Sequence, residues 1–317
     1  MVIILKKLKN ASYYIILLIL GIFVALLYNI YSNKNITNKQ TNTITRMSQN
    51  SGIKYSILSN YNNEKLEKIN LTDNSVKFIL NVYNFDNFEK KSNIITIFIN
   101  NIQVDFDFNN KKNNKNYTFN LKAKNNSFKL KINNLNLTNK ENNLLIMISK
   151  KGSNYNIMDS YEEQKSNSTN FINLKLFNYN IKNTNNIKTE YKHYDYEKDI
   201  KINTGIYLNQ SLNDSKINII PFIKSKTNKK IYIPVIIKND SKYVEANIIC
   251  LVNNQQYKLY NQNYINLKLN NSLAKFMYFC IESPNQKGNY KMNVVLRCKN
   301  KDIQQNYLSN TINLIVE

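Results

Sequence analysis

The chain of 317 residues contains no tryptophan, one histidine, two arginines, three prolines, three cysteines and five glycines. Each shortage removes a class of function. The single histidine, His193, sits in a polar segment and reads as an exposed, incidental residue, which argues against a His-based catalytic triad, and one imidazole cannot build a histidine-rich metal cluster. Two arginines against 42 lysines argue against nucleic-acid recognition, which uses the guanidinium fork at phosphates and base edges. None of the glycines falls in G-x-x-x-x-G-K-S or G-x-G-x-x-G spacing, which excludes the usual phosphate-cradling loops.

What is abundant is asparagine, at 63 residues, with 42 lysines and 23 tyrosines. The enriched residues have AT-rich codons and the depleted ones GC-rich codons, so the composition reads as drift in the genome of a low-GC bacterium. A net charge of +23 is spread along the chain: Lys and Arg against Asp and Glu number 6 to 0 in residues 1–50, 18 to 11 in 51–180 and 20 to 10 in 181–317. That distribution predicts a lysine-coated surface with weak attraction to anionic wall polymers or lipid head groups. The carboxylates Asp105 and Asp107, Glu162 and Glu163, and Asp195, Glu197 and Asp199 lack the Gly-containing oxygen loop of a calcium site and read as partners of nearby lysines. The tyrosines fall mostly at strand positions and read as packing rather than as a sugar-stacking platform. No catalytic, cofactor-binding or metal-binding residue is assigned, no cofactor is expected, and the chain is expected not to be an enzyme.

From Tyr14 to Tyr31 the chain reads YIILLILGIFVALLYNIY, without a charge. As a helix this run spans about 27 Å, close to the hydrocarbon thickness of a bilayer. Tyr14 and Tyr31 mark its ends where an interfacial aromatic belt would lie, and Lys6, Lys7 and Lys9 favour a cytoplasmic N-terminus. No small-residue cleavage site follows, so residues 1–31 are predicted to be a cytoplasmic tip and an uncleaved signal anchor in the cell membrane. Residues 32–52 are polar and aperiodic, and read as a stalk.

Beyond the stalk, apolar residues alternate over short runs separated by Asn-rich turns, the pattern of half-buried strands. The runs group into residues 53–180 and residues 181–317, each long enough for its own core. The polar stretch from Tyr179 to Asp199 separates them. The expected fold is therefore all-β, with two tandem antiparallel β-sandwiches after a single transmembrane helix.

The stretch SPNQKGNYKMNVVLRCKN, Ser283 to Asn300, gathers a proline, a glycine, an arginine and a cysteine. Gly288 stands two residues before Tyr290, which opens an alternating strand. Tyr290, Met292, Val294, Leu296 and Cys298 share one face, and Asn289, Lys291, Asn293 and Arg297 the other. This entry, with IYIPVIIKNDSKYVEANIICLVNN upstream, resembles bacterial immunoglobulin-like cell-surface domains of the CARDB type. The resemblance implies a structural corner at Gly288 and Tyr290, with the tyrosine hydroxyl capping backbone. It departs from antibody domains in having no Trp to pack on a cysteine pair. Cys250 and Cys298 lie on apolar faces and read as buried thiols; the resemblance offers a disulfide between them as the alternative.

The functional expectation is a membrane-anchored extracytoplasmic binding or scaffolding protein of the bacterial envelope. Its expected partners are the bilayer through the N-terminal helix and an envelope polymer or membrane protein, with no nucleic acid. One alternative is an accessory subunit of an export or envelope-polymer assembly complex, for which Gly21, Ala25 and Asn29 give a small or polar helix stripe. A wall hydrolase ranks behind both.

Overall fold

The computed structural model describes residues 53–59, 66, 68–71, 74–84, 92–121, 124–135, 137, 139–150, 169–178, 196–213, 216–239, 243–269, 272–300 and 304–317. The proposed anchor, with Tyr14 and Tyr31, and the stalk lie outside the described residues. So do His193 and the pair Glu162 and Glu163.

In the first half the strands are β1 (Ile53–Ser59), β2 (Lys68–Leu71), β3 (Val76–Asn84), β4 (Ser92–Ile99), β5 (Ile102–Gln103), β6 (Phe106–Phe108), β7 (Lys111–Asn114), β8 (Asn116–Asn120), β9 (Lys124–Ile132), β10 (Glu141–Lys150) and β11 (Asn170–Asn178). They form two sheets, ordered β1-β3-β9-β6-β7 and β2-β11-β10-β4-β5, with β8 also on β4. The second half carries β12 (Tyr196–Lys198), β13 (Gly205–Leu208), β14 (Phe222–Ser225), β15 (Lys230–Lys238), β16 (Glu245–Val252), β17 (Gln255–Tyr257), β18 (Ile265–Lys268), β19 (Ala274–Glu282), β20 (Gly288–Lys299), β21 (Gln304–Leu308) and β22 (Ile312–Val316). Its sheets are β13-β15-β19-β12 and β14-β22-β20-β16-β17, with β18 on β16 and β21 on β20.

The two halves share one strand plan. The path β1-β3-β9 matches β13-β15-β19, and β2-β11-β10-β4-β5 matches β14-β22-β20-β16-β17. The immunoglobulin-like sandwich is therefore present twice. Neither copy is wholly antiparallel, because β2 runs parallel to β11 and β14 parallel to β22. In both, an early strand closes the sheet against the last one. The copies differ at one edge, where β6 flanks β9 in the first and β12, from ahead of the sandwich, takes that place beside β19 in the second, and in β21, which pairs with β20 and has no counterpart on β10 among the described residues.

Turn chemistry explains how so few glycines suffice. Among the described residues, eleven non-glycine residues have positive φ and nine of them are asparagine, the L-residue that tolerates the left-handed region best. Asn100 and Asn101 (φ 49° and 69°) and Asn253 and Asn254 (φ 50° and 62°) form two-residue hairpin loops with both residues left-handed, the type I′ geometry. Part of the asparagine excess thus carries out what glycine does elsewhere.

The second core runs between its two sheets through Leu208, Ile233, Val235, Ile248, Cys250, Met277, Phe279, Val294, Leu296 and Cys298. In the first half, Phe106, Phe108, Tyr117, Phe119 and Phe128 pack ring on ring, with centroids 4.7 to 5.5 Å apart. Asp107 secures the strand beneath them by accepting from Asn113 N at 3.0 Å and Asn133 Nδ2 at 3.1 Å.

Candidate binding cleft and the faces around it

The strands β4, β10, β16 and β20 are buried on both faces over much of their length, which a free-standing sandwich would not require. β4, β10, β16 and β20 turn Phe98, Leu145, Met147, Ile249, Leu251 and Val295 away from their own cores, and these side chains form a separate buried cluster joining the two sandwiches. Each aliphatic side chain so covered contributes about 1.5–3 kcal/mol relative to exposure.

A polar clasp closes the joint. Gln103 N donates to Gln256 Oε1 at 2.7 Å and Gln256 N to Gln103 Oε1 at 2.6 Å. Gln103 Nε2 reaches Asn254 O at 3.0 Å, and Gln256 Nε2 reaches Asn101 O at 2.8 Å. The sequences behind this are Asn100-Asn101-Ile102-Gln103 and Asn253-Asn254-Gln255-Gln256, which occupy matching hairpins, so the exchange has local two-fold character. The hairpins are braced alike, by Asn143 N to Asn100 Oδ1 at 3.0 Å and Lys291 N to Asn253 Oδ1 at 2.8 Å.

Arg297 belongs to this joint. The alternation places it on the outer face of β20, and that face is covered by the first sandwich, leaving the residue 2% exposed. Its Nε donates to Asn306 Oδ1 at 3.2 Å, its Nη1 to Asn101 Oδ1, and its Nη2 to Asn173 Oδ1 at 3.4 Å. Burial lowers its pKa to about 10, so the cation persists at neutral pH, solvated by amide carbonyls.

The corner residues are placed as follows. Tyr290 Oη donates to Gln286 O at 2.9 Å, and Gly288 has φ 155° with the tyrosine ring 3.5 Å from where a Cβ would stand. The sequence holds a second such corner that its reading missed: Gly205 has φ 159°, and Tyr207 Oη donates to Asn203 O at 2.8 Å. The same G-x-Y spacing, with an acceptor four residues before the tyrosine, was the available signal.

Cys250 and Cys298 are free, buried thiols rather than the two halves of a disulfide. They lie on adjacent strands of one sheet, where Cys298 stands opposite Ala246 and Cys250 opposite Val294. That offset of four residues is about 13 Å along the strand, well beyond disulfide reach. Burial pushes the Cys250 thiol up to about 12, leaving it protonated and inert. Cys280 is also free, on β19 in the opposite sheet.

The acidic run of the second half ties down β12. Glu197 pairs with Lys275, whose side chain is 3% exposed, and Asp199 Oδ1 lies 3.1 Å from Lys238 Nζ. Among the described residues no group of three or more His, Cys, Asp or Glu side chains could hold a metal ion.

With β12 docked, the outer face of the β13-β15-β19 sheet divides in two. One part is covered: Tyr196 stacks on Phe276 with centroids 4.5 Å apart, and Ile200 and Leu212 join Tyr207, Ile236 and Phe276 in a buried cluster. The other part is bare. Tyr232 is 61% exposed and Tyr278 41%, on neighbouring strands where Tyr232 faces Cys280 and Pro234 faces Tyr278.

This bare part opens into a cleft of about 560 Å³, within the range of ligand sites. Lys230 and Tyr232 line it from β15, Gln256, Tyr257 and Lys258 from β17 onward, and the segment Cys280 to Asn285 from the end of β19. Tyr260 and Asn261 complete it on a two-residue turn with φ 49° and 63°, closed by Leu259 and Gln262 exchanging backbone bonds of 2.8 Å. A tyrosine in the left-handed region costs about 1–2 kcal/mol. It is held there by Tyr260 N to Cys280 O at 3.0 Å and by its hydroxyl on Tyr278 O. Ser283, 3% exposed, pins the opposite rim by accepting from Lys229 N at 2.8 Å and donating to Lys226 O at 2.5 Å.

No protein-family model matches the chain, and neither does any curated protein. Among solved structures it is similar to a CARDB domain from Pyrococcus furiosus, solved in complex with di-metal ions, at 16% identity and TM-score 0.27 over 42% of this chain and 100% of that one. It is similar also to the C-terminal domain of the antigen I/II-family protein AspA from Streptococcus pyogenes, at 5% identity and TM-score 0.24 over 84% of this chain and 99% of that one. The C-terminal domain of the antigen I/II polypeptide BspA from Streptococcus agalactiae matches at 6% identity and TM-score 0.22, over 83% and 100%. The immunoglobulin-like assignment rests on the strand plan and the two tyrosine corners described above.

Proposed function

We propose that the chain is a non-catalytic binding protein of the cell envelope, anchored by its N-terminal apolar segment and presenting the two joined sandwiches outside the membrane. The observation that carries the binding role is the bare aromatic part of the β13-β15-β19 sheet, where Tyr232 and Tyr278 are exposed and Tyr232 lines a cleft whose turns are held in place. Isolated exposed apolar residues are ordinary. Exposed aromatic rings at a concave site are the form a ligand surface takes. The clasp at Gln103 and Gln256 supports a scaffolding element, since it fixes the cleft on a stiff two-sandwich body.

Protease added to intact protoplasts tests the display: it should remove everything after Tyr31, and full protection overturns the topology. The accessory-subunit reading retains the Gly21, Ala25 and Asn29 stripe, and recovery of a stoichiometric membrane partner in detergent would favour it.

A further inference from the structure

We propose that the cleft beside Tyr232 binds a short stretch of an acidic polysaccharide, a chain of carboxylate-bearing sugars; this rests on the binding role proposed above. The lining has the chemistry such a ligand demands. Tyr232 offers an exposed ring, and Tyr257 and Tyr260 partly buried ones, for the C–H faces of pyranose units, while Asn261 offers an amide that both donates and accepts for sugar hydroxyls. The aliphatic share is small, Ile281 and Pro284, which disfavours a hydrophobic peptide or lipid tail.

Charge selects the acidic class. Lys230 and Lys258 line the cleft against one acid, Glu282, and neither lysine makes an ion pair among the described residues. Lysine rather than arginine suits scattered carboxylates, which need a mobile point charge and not a fork. A single-stranded nucleic acid would also use aromatic rings and cations, but it draws on arginine for stacking and phosphate contacts. No arginine lines this cleft: one of the two in the sequence is Arg46 and the other is buried at the joint.

The site is also preformed. Tyr260 is fixed by its turn, its backbone bond to Cys280 and its hydroxyl on Tyr278, and Ser283 fixes the facing rim. Preorganisation lowers the ordering cost of binding, which matters for a polar ligand with modest apolar contact.

The test uses the full chain in a zwitterionic, sugar-free detergent and follows binding by titration calorimetry and by saturation transfer from protein to ligand protons. The ligands are tetragalacturonate, a hyaluronan tetrasaccharide, methyl-esterified tetragalacturonate and a thymidylate oligomer. Expected is saturable binding of at least one acidic oligosaccharide, weakened by added salt, with the ester weaker than the acid. Tyr232→Ala, at an exposed site that the fold does not need, should weaken it at least about tenfold. Lys230→Gln with Lys258→Gln should erase the preference for acid over ester, and Glu282→Gln should tighten binding.

Failure of both acidic oligosaccharides to bind, or unchanged affinity in Tyr232→Ala, overturns the proposal. Thymidylate binding as tight and equally sensitive to Tyr232→Ala overturns it in favour of a nucleic-acid site. The protoplast result is independent of these outcomes, so an exposed protein that binds no acidic sugar sinks the ligand class and leaves the display standing.

Discussion

Arg297 offers the sharpest test of how the two sandwiches are joined. In the folded chain burial holds its pKa at about 10 against the usual 12.5, which corresponds to about 3 kcal/mol spent on carrying the charge out of water. Hydrogen bonds to a charged donor return about 1.5–3 kcal/mol each. Three of them, to Asn101, Asn173 and Asn306, favour the cation and keep it charged at neutral pH, but a pKa still below the usual value shows that they do not fully offset the burial.

Arg297→Ala removes the donors, opens a cavity, and takes the arginine partner from Asn101 Oδ1 and Asn306 Oδ1, while Asn306 Nδ2 can still reach Asn173 Oδ1 at 3.3 Å. The stranded acceptors and the lost packing together should cost about 2–4 kcal/mol. Arg297→Met strands the same acceptors and sheds the same desolvation cost but keeps most of the volume, so it should lose less than the alanine variant by the cavity contribution, about 1–2 kcal/mol. Arg297→Lys should fall nearer the alanine variant, because one ammonium cannot serve three separated carbonyls.

Urea unfolding of the three variants, followed by circular dichroism, measures the order. A second signature is pH. A base whose folded pKa is depressed makes stability rise with pH only between its folded and unfolded values, here above about 10. The difference between wild type and Arg297→Met should therefore be flat from weakly acidic pH to about 9. Alanine and methionine variants of equal stability, or a difference that changes steeply near neutrality, would refute the account of a buried, amide-solvated cation.

Three further outcomes follow from the same joint and its neighbours. Gln103→Ala and Gln256→Ala should each destabilise by about 1–3 kcal/mol, and a double-mutant cycle should show coupling of at least about 0.5 kcal/mol because each side chain holds the other's backbone; additive effects would deny the clasp. Thr96 is fully buried and its Oγ1 has no hydrogen-bond partner among the described residues, while the matching position of the second sandwich is Ile249, so Thr96→Val should raise stability by about 1 kcal/mol in urea melts. Thiol titration with a chromogenic disulfide should find Cys250 and Cys298 silent in the native chain and three thiols after denaturation, and a denatured count below three in a preparation kept free of reductant would reveal a disulfide.

The strands were legible in the sequence because period-two alternation encodes which face meets a core, and the Gly288 and Tyr290 corner was legible because its residue types are scarce here. The joint was not. Alternation assigns an outer face to solvent by default, and Arg297 lies on such a face. The correcting signal was present in ITIFI, LLIMI and NIICLV, where apolar residues fill both faces of a strand and so demand a second cover. The cleft was illegible for another reason. Its lining comes from β15, β17, the Tyr260 turn and the end of β19, and only the register of Tyr232 with Cys280 brings the first and last of these together.

Asparagine links these outcomes. Read as composition it was drift, yet Asn100, Asn101, Asn253 and Asn254 hold left-handed turns that a chain with five glycines must build by other means. Having a side chain where glycine has none, they do more than turn. Asn100 and Asn253 brace the neighbouring strand through Oδ1, and Asn101 accepts from Arg297. A glycine at Asn101 would keep the hairpin and forfeit the guanidinium's partner. Substitution by glycine should therefore leave the turn intact while loosening the joint, with a loss at Asn101 that disappears when Arg297 is already methionine. Equal losses in both backgrounds would separate the turn from the joint and undo the connection.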